Sequence, residues 1–226
     1  MSEFDYLRDK LRRLREQNPA DLNLRCHRAV TWLCRSDDLV ADDPDAAFIF
    51  GWIAFNAAYA RDIGNDPTAP ERRVFQDFFT ALVAADPKGR IAHELWCQHE
   101  GLITRLLDNP FIFNPFWRFH NGDTEDADWA ERFAKAKDVA REAIERENAA
   151  HLLSILFDRL YVLRNQLMHG GTTWGSRVNR AQMRDGVEVL HCLLPVFVDT
   201  MISAPDRDWG IAHYPVIEDP PVTDIP

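Results

Sequence analysis

The chain has 226 residues, of which 46% are hydrophobic and 11% aromatic, with a formal net charge of −10. That is enough apolar material to bury a core, which excludes global disorder. The acidic balance argues against a general nucleic-acid coat. Ten glycines and long Ala-, Leu-, Arg- and Glu-rich stretches favour helices over many short strands.

Along the chain, Phe4, Leu7, Leu11 and Leu14 form one helical stripe, so residues 2–17 are expected as a first helix, broken by Asn18-Pro19. A second helix is expected over 21–35 and, after an acidic turn at 37–45, a third over 46–63. This third segment holds Phe48, Phe50, Trp52, Ile53, Phe55 and Tyr59. Apolar nearly all round, it reads as the central core helix. Gly64–Pro67 is its expected stop, followed by a helix over 69–84, a turn at Asp86-Pro87-Lys88-Gly89, and a fifth helix to about Leu107. Residues 109–121 interleave Pro110 and Pro115 with five aromatic residues. The expectation there is an irregular aromatic loop packed on the body or a partner. A charged helix over 126–148 and an apolar one over 149–168 follow, continuous or bent near Asn148. A last long helix is expected over 177–202, kinked at Pro195. Residues 205–226 read as an irregular Pro/Asp-rich tail and residues 1–204 as one all-α domain.

The acidic N-terminus lacks the basic and apolar regions of a signal peptide, and the longest uninterrupted apolar runs fall short of a membrane span. The reading is a soluble, cytoplasmic protein without a membrane partner. Cys26, Cys34, Cys97 and Cys192 form no CxxC pair and read as small hydrophobic residues in helices. His93, Glu94 and His99 lack the HExxH spacing, because Cys97 stands where a second histidine is required, so no metal and no cofactor is expected.

The charge is uneven. From Arg159 to Arg184 there are five arginines and no acid, a segment of +5 that leaves −15 for the rest of the chain. Such a segment suits a phosphate, unless acids from elsewhere neutralise it in space. Within it lies Arg164-Asn165-Gln166-Leu167-Met168-His169, closed by Gly170-Gly171. Arg and His at this spacing are worth little alone: with 22 arginines and eight histidines, roughly one such pair arises by chance. Arg146 and His151 provide a second instance, in a Glu-rich helix where ion pairing explains the arginine. The first instance differs by its apolar helix, the Asn after the Arg, and the Gly-Gly stop.

On these residues the chain resembles the HEPN superfamily (higher eukaryotes and prokaryotes nucleotide-binding). Its nuclease members carry Arg, often a polar residue such as Asn, then His after four to six residues at a helix end. The similarity extends over about residues 46–202 and includes Trp52–Tyr59 and Gly170–Trp174. It implies a HEPN-like helical bundle with additional N-terminal helices and a long C-terminal helix. It also implies a dimeric, metal-independent endoribonuclease of the toxin or phage-defence kind, or a non-catalytic relative that binds nucleotide or protein through the same cleft. RNA, a second copy of the chain, and an antitoxin or regulatory protein are the implied partners.

The residue types suit that chemistry. His169 is the acid–base group, Arg164 a bidentate fork for phosphate oxygens, and Asn165 a second phosphate contact or a guide for the imidazole. Arg164 and His169 are about 140° apart on an ideal helix, so the expectation is that the helix breaks and lets His169 turn back. Arg159, Arg177 and Arg180 from the basic segment, Trp174 as a stacking surface, and Asn56 from the third helix are the candidate substrate-binding residues.

Overall fold

The chain is all-α. The computed structural model describes residues 3–60, 71–177, 180–212 and 214, with the side chains of 71–74 left aside. The helices are α1 (Glu3–Leu14), α2 (Ala20–Asp37), α3 (Pro44–Tyr59), α4 (Glu71–Ala84), α5 (Arg90–His93), α6 (Glu100–Leu107), α7 (Asn114–His120), α8 (Trp129–Glu145), α9 (Ala149–Met168) and α10 (Arg180–Ser203). The stop expected at Gly64–Pro67 and the segment after Tyr214 lie outside the described residues.

Asp43 and Pro44 start α3: the Asp43 carboxylate accepts the Ala46 N–H at 3.1 Å, and proline stands where no donor is needed. As its composition requires, α3 is the core helix, packed against α2, α9 and α10. Phe55 anchors an aromatic cluster, its ring centroid 4.3 Å from Phe157, and Phe157 lies 4.9 Å from Phe79. All three are fully buried. Gly186 lets α10 approach: a Cβ there would stand 2.9 Å from the Phe48 ring.

Helix α10 is long and apolar enough to cross a membrane by length and composition, although polar residues interrupt its apolar runs. In its most apolar window, however, 78% is buried inside this bundle. The helix continues through Pro195. Asp199 projects from it as a buried acid, bonded to Lys10 at 2.5 Å and to Arg90. Burial alone would push this carboxyl up. The hydrogen bonds and charges of Lys10 and Arg90 outweigh that and hold it below the ordinary range.

Two expectations need correction. Residues 109–121 contain a regular helix, because Pro115 falls in the first turn of α7, where its missing N–H costs nothing. A 3₁₀ turn over Pro110–Ile112 precedes it, capped by Asn109. The helix expected up to Leu107 is interrupted by a π-helical turn over Glu94–Gln98, separating α5 from α6. As expected, residues 205–212 lack regular helix, and they are docked on the body. Trp209 is buried, and the buried Arg25 guanidinium donates to the carbonyls of Ala58 and Ile211, both at 2.9 Å.

Candidate functional site

Helix α9 carries the motif and is defined at both ends. Asn148 caps its start by accepting the His151 N–H at 3.1 Å. Glu147, with a positive φ of 52°, separates α8 from α9, so the two are distinct helices. At the other end Gly170 takes the left-handed conformation, φ 67°. The Gly171 N–H donates to the Gln166 carbonyl at 2.7 Å, the six-to-one closure that ends helices at glycine.

The last turn of α9 therefore holds the three candidate catalytic residues. Arg164 donates from Nη1 to Asn165 Oδ1 at 2.9 Å, and its guanidinium lies 6.0 Å from the Tyr161 ring. Because that oxygen is engaged, the Asn165 amide nitrogen is what remains to donate. Asn165 also lines a cleft of about 280 Å³ with Asn114, Arg118, Arg132, Asp158 and Tyr161. His169 is exposed and its imidazole makes no hydrogen bond among the described residues.

The expected turning-back of His169 does not occur. Its backbone N–H still donates to the Asn165 carbonyl at 3.0 Å, and the reversal comes one residue later, at Gly170. His169 stays on the helical path, about 140° around from Arg164. One chain thus presents the arginine and the histidine on different faces of the same helix end.

The candidate binding residues divide. Trp174 is 80% exposed, with its indole N–H held by Asp43 at 3.1 Å, so a ring face is open to solvent beside the motif. Arg177 is exposed in the same loop. Arg180 is already taken: Asp45 accepts from both its Nη atoms, at 3.1 and 3.2 Å, and also from the Gly175 N–H at 2.9 Å. Arg159 is buried, its guanidinium 4.4 Å from the Phe113 ring and 5.4 Å from that of Phe133. It ties Phe113, just before α7, and α8 to α9, and is not offered to a substrate at the motif. Asn56 is half-buried on α3 and outside the lining of the Asn165 cleft. The basic segment is thus partly neutralised in space, by acids at the start of α3.

Sequence reasoning missed Asp43 and Asp45, which hold Trp174, Gly175 and Arg180. The only signal was their place at the start of the core helix. It also missed Phe111, whose carbonyl accepts from Gln166 Nε2 and Trp117 Nε1, each at 2.6 Å, seating the aromatic segment against α9.

The competing constellations are structural. Arg146 pairs with Glu142 at 2.6 Å, and its partner in spacing, His151, lies across the α8–α9 break. Ser36, His191 and Asp37 line up, with Ser36 Oγ 2.7 Å from His191 Nε2 and Asp37 3.6 Å from Nδ1. Yet the buried Ser36 hydroxyl spends its proton on the Ala47 carbonyl at 2.6 Å. Nε2 must then donate, so the serine is not activated. His99 faces Glu94 at 3.3 Å and His93 faces Gln98 at 3.1 Å. No group of three or more His, Cys, Asp or Glu side chains suited to a metal occurs among the described residues. No protein-family model matches this chain, and no curated protein and no solved structure is detectably similar to it.

Proposed function

We propose that the end of α9 is the centre of a metal-independent endoribonuclease of the HEPN type, working as a homodimer in a toxin or phage-defence setting. One observation carries the reading: the bonded Arg164–Asn165 pair and a solvent-presented His169, without a hydrogen bond among the described residues, share one helix end. Arginine is a permanent fork for phosphate oxygens, and histidine is the side chain suited to proton transfer at neutral pH.

A single α9 directs these groups to different faces, so the chemistry calls for two copies about a two-fold axis. In that arrangement one His169 takes the proton of the ribose 2′-OH as the oxygen attacks phosphorus. Arg164 and the Asn165 amide stabilise the phosphorane oxygens. The second subunit's His169 protonates the departing 5′-oxygen, leaving a 2′,3′-cyclic phosphate. Exposed Met168, Phe111 and Trp174 supply apolar surface around the helix end for such a contact.

The test is incubation of several RNAs with the purified protein in EDTA. Cleavage to 2′,3′-cyclic phosphate ends, abolished by His169→Ala, is the expected result. Binding without cleavage would favour the second reading, a non-catalytic module that holds a nucleotide or protein partner. That reading draws on the Asn165 cleft, whose Arg118 and Arg132 are already paired with Asp123 and Asp126.

A further inference from the structure

On α9, Asp158, Tyr161, Val162 and Asn165 follow one another at i, i+3, i+4 and i+7, one face of the helix over roughly 10 Å. All four are half-buried. They line the cleft of about 280 Å³, together with Asn114 and Arg118 of α7 and Arg132 of α8. The motif stands at one end, where Arg164 bonds to Asn165 and lies 6.0 Å from the Tyr161 ring. Asp158 and Asn114 mark the other end. Both also line an adjoining groove of about 410 Å³, whose lining does not include Tyr161 or Asn165.

This cleft serves a second phosphate poorly. Arg118 is held by Asp123 at 2.6 Å and by Asp126 at 2.8 Å, and Arg132 pairs with the same buried Asp126. Their charge is spent. What the cleft offers instead is the Tyr161 ring, Val162, two side-chain amides and Asp158, the one acid among the described lining residues. An aromatic and aliphatic surface with a few convergent polar groups suits a flat heterocycle. The volume lies just under the range for small-molecule sites, about 300–1,000 Å³. It suits one base, with the sugar and phosphate left outside at the Arg164–Asn165 end.

Asp158 selects among the bases. A carboxylate only accepts hydrogen bonds and has about four acceptor positions, so it favours two donors side by side. Guanine presents them, N1–H beside the N2 amino group, with the acceptor O6 next in line. Adenine and cytosine set one amino group beside a ring nitrogen that repels a carboxylate, and uracil sets its single N–H between two carbonyls. The Asn114 side chain is exposed and makes no hydrogen bond among the described residues, which leaves its amide nitrogen to donate to O6.

We propose that this cleft holds a guanine base of the RNA beside the scissile phosphate, packed on Tyr161 and Val162, with Asp158 accepting from N1–H and the N2 amino group and Asn114 donating to O6. This rests on the reading of α9 as a nuclease centre and makes that centre guanine-directed.

Fluorescence anisotropy in EDTA tests it, with the full chain carrying His169→Ala so that bound RNA is not cut. The probes are labelled pentauridylates whose central base is guanine, inosine's hypoxanthine, adenine, cytosine or uracil. Guanine is expected to bind tighter than adenine, cytosine or uracil by about fivefold or more, the low end for a bidentate contact to a base. Hypoxanthine, which keeps N1–H and O6 but lacks the amino group, should fall between. Adding Asp158→Asn, matched for melting temperature, is expected to abolish the preference. Adding Asn114→Ala, at an exposed position, is expected to weaken the guanine probe by roughly threefold or more. The proposal is overturned by a smaller guanine preference, by its survival in folded Asp158→Asn, or by unchanged guanine affinity in Asn114→Ala, which decides the matter should Asp158→Asn not fold. Absence of saturable binding below millimolar concentration also overturns it. Failure of the nuclease reading looks different: wild type then cuts no RNA while the guanine preference in binding stands. A wild type that cuts RNA without regard to guanine keeps the nuclease reading and overturns this proposal.

Discussion

Asp45 links the core helix to the loop beside the motif, and its removal has a calculable effect. The carboxylate is buried, accepts both Nη atoms of Arg180, and holds the Gly175 N–H at 2.9 Å. Breaking one partner out of a buried pair costs about 3–5 kcal/mol. Here Arg180 keeps its bonds to the Ser176 carbonyl, at 3.0 and 2.8 Å, and its side chain is 21% exposed. Asp45→Ala is therefore expected to cost less, about 2–3 kcal/mol. The loss should fall on the loop rather than on the bundle, because Asp45 adds little to the aromatic core. In amide exchange, a peptide spanning 172–177 is expected to exchange roughly 30- to 150-fold faster, the equivalent of that energy. Peptides from α3 and α9 should change little. Asp45→Asn keeps an acceptor for Gly175 and should fall between the two. Exchange of 172–177 within threefold of wild type in Asp45→Ala, a bound set by about 0.7 kcal/mol, would refute the claim that this carboxylate fixes the loop.

Other expectations follow from single contacts. Gly170→Ala places a side chain at φ 67° and should cost about 1 kcal/mol, read as a lower melting temperature with fraying of the last turn of α9. Burial lowers the pKa of His191, which Asp37 only partly offsets. The unfolded chain then binds more protons, so stability is present above the ordinary histidine range and is lost as pH falls through it. His191→Gln should flatten the melting temperature between neutral pH and pH 5. Burial pushes the thiols of Cys26 and Cys192 up to about 12, while Cys97 is exposed. Ellman's reagent should therefore label Cys97 first in the native protein, and Cys97→Ser should remove that fast phase. Arg164→Lys should lose most RNA cleavage without loss of stability, because a point charge cannot replace the fork. Mixing Arg164→Ala with His169→Ala subunits should restore part of the activity if two chains build one centre. A monomer that stays fully active at micromolar concentration contradicts that assembly.

The parts of the fold legible in the sequence were those set by local pattern. The apolar character of 46–63 marked the core helix, though α3 itself ends at Tyr59, and Gly170-Gly171 marked the end of α9, because both signals act within a turn or two. Pro115 misled because a proline breaks a helix interior but begins a helix well, and position alone separates the two. The π-helical turn at Glu94–Gln98 has no equivalent pattern to read. At the candidate site, Arg164, Asn165 and His169 were legible as a motif. The fates of Arg159 and Arg180 were not. Arg159 is covered by Phe113 and Phe133, and Arg180 is claimed by Asp45, 135 residues away. Such pairings are created by packing, and a charge count along the chain does not contain them.

The most direct test of the central claim uses the chain's own internal control. Arg146 and His151 repeat the spacing of Arg164 and His169, but they straddle the α8–α9 break, with Arg146 held by Glu142. End-labelled RNA is cut in EDTA by wild type, His151→Ala and His169→Ala, each first matched for melting temperature. His151→Ala is expected to cleave as wild type does, and His169→Ala to lose roughly 10²- to 10⁴-fold. Equal activity in the two variants, whether retained or lost, would contradict it.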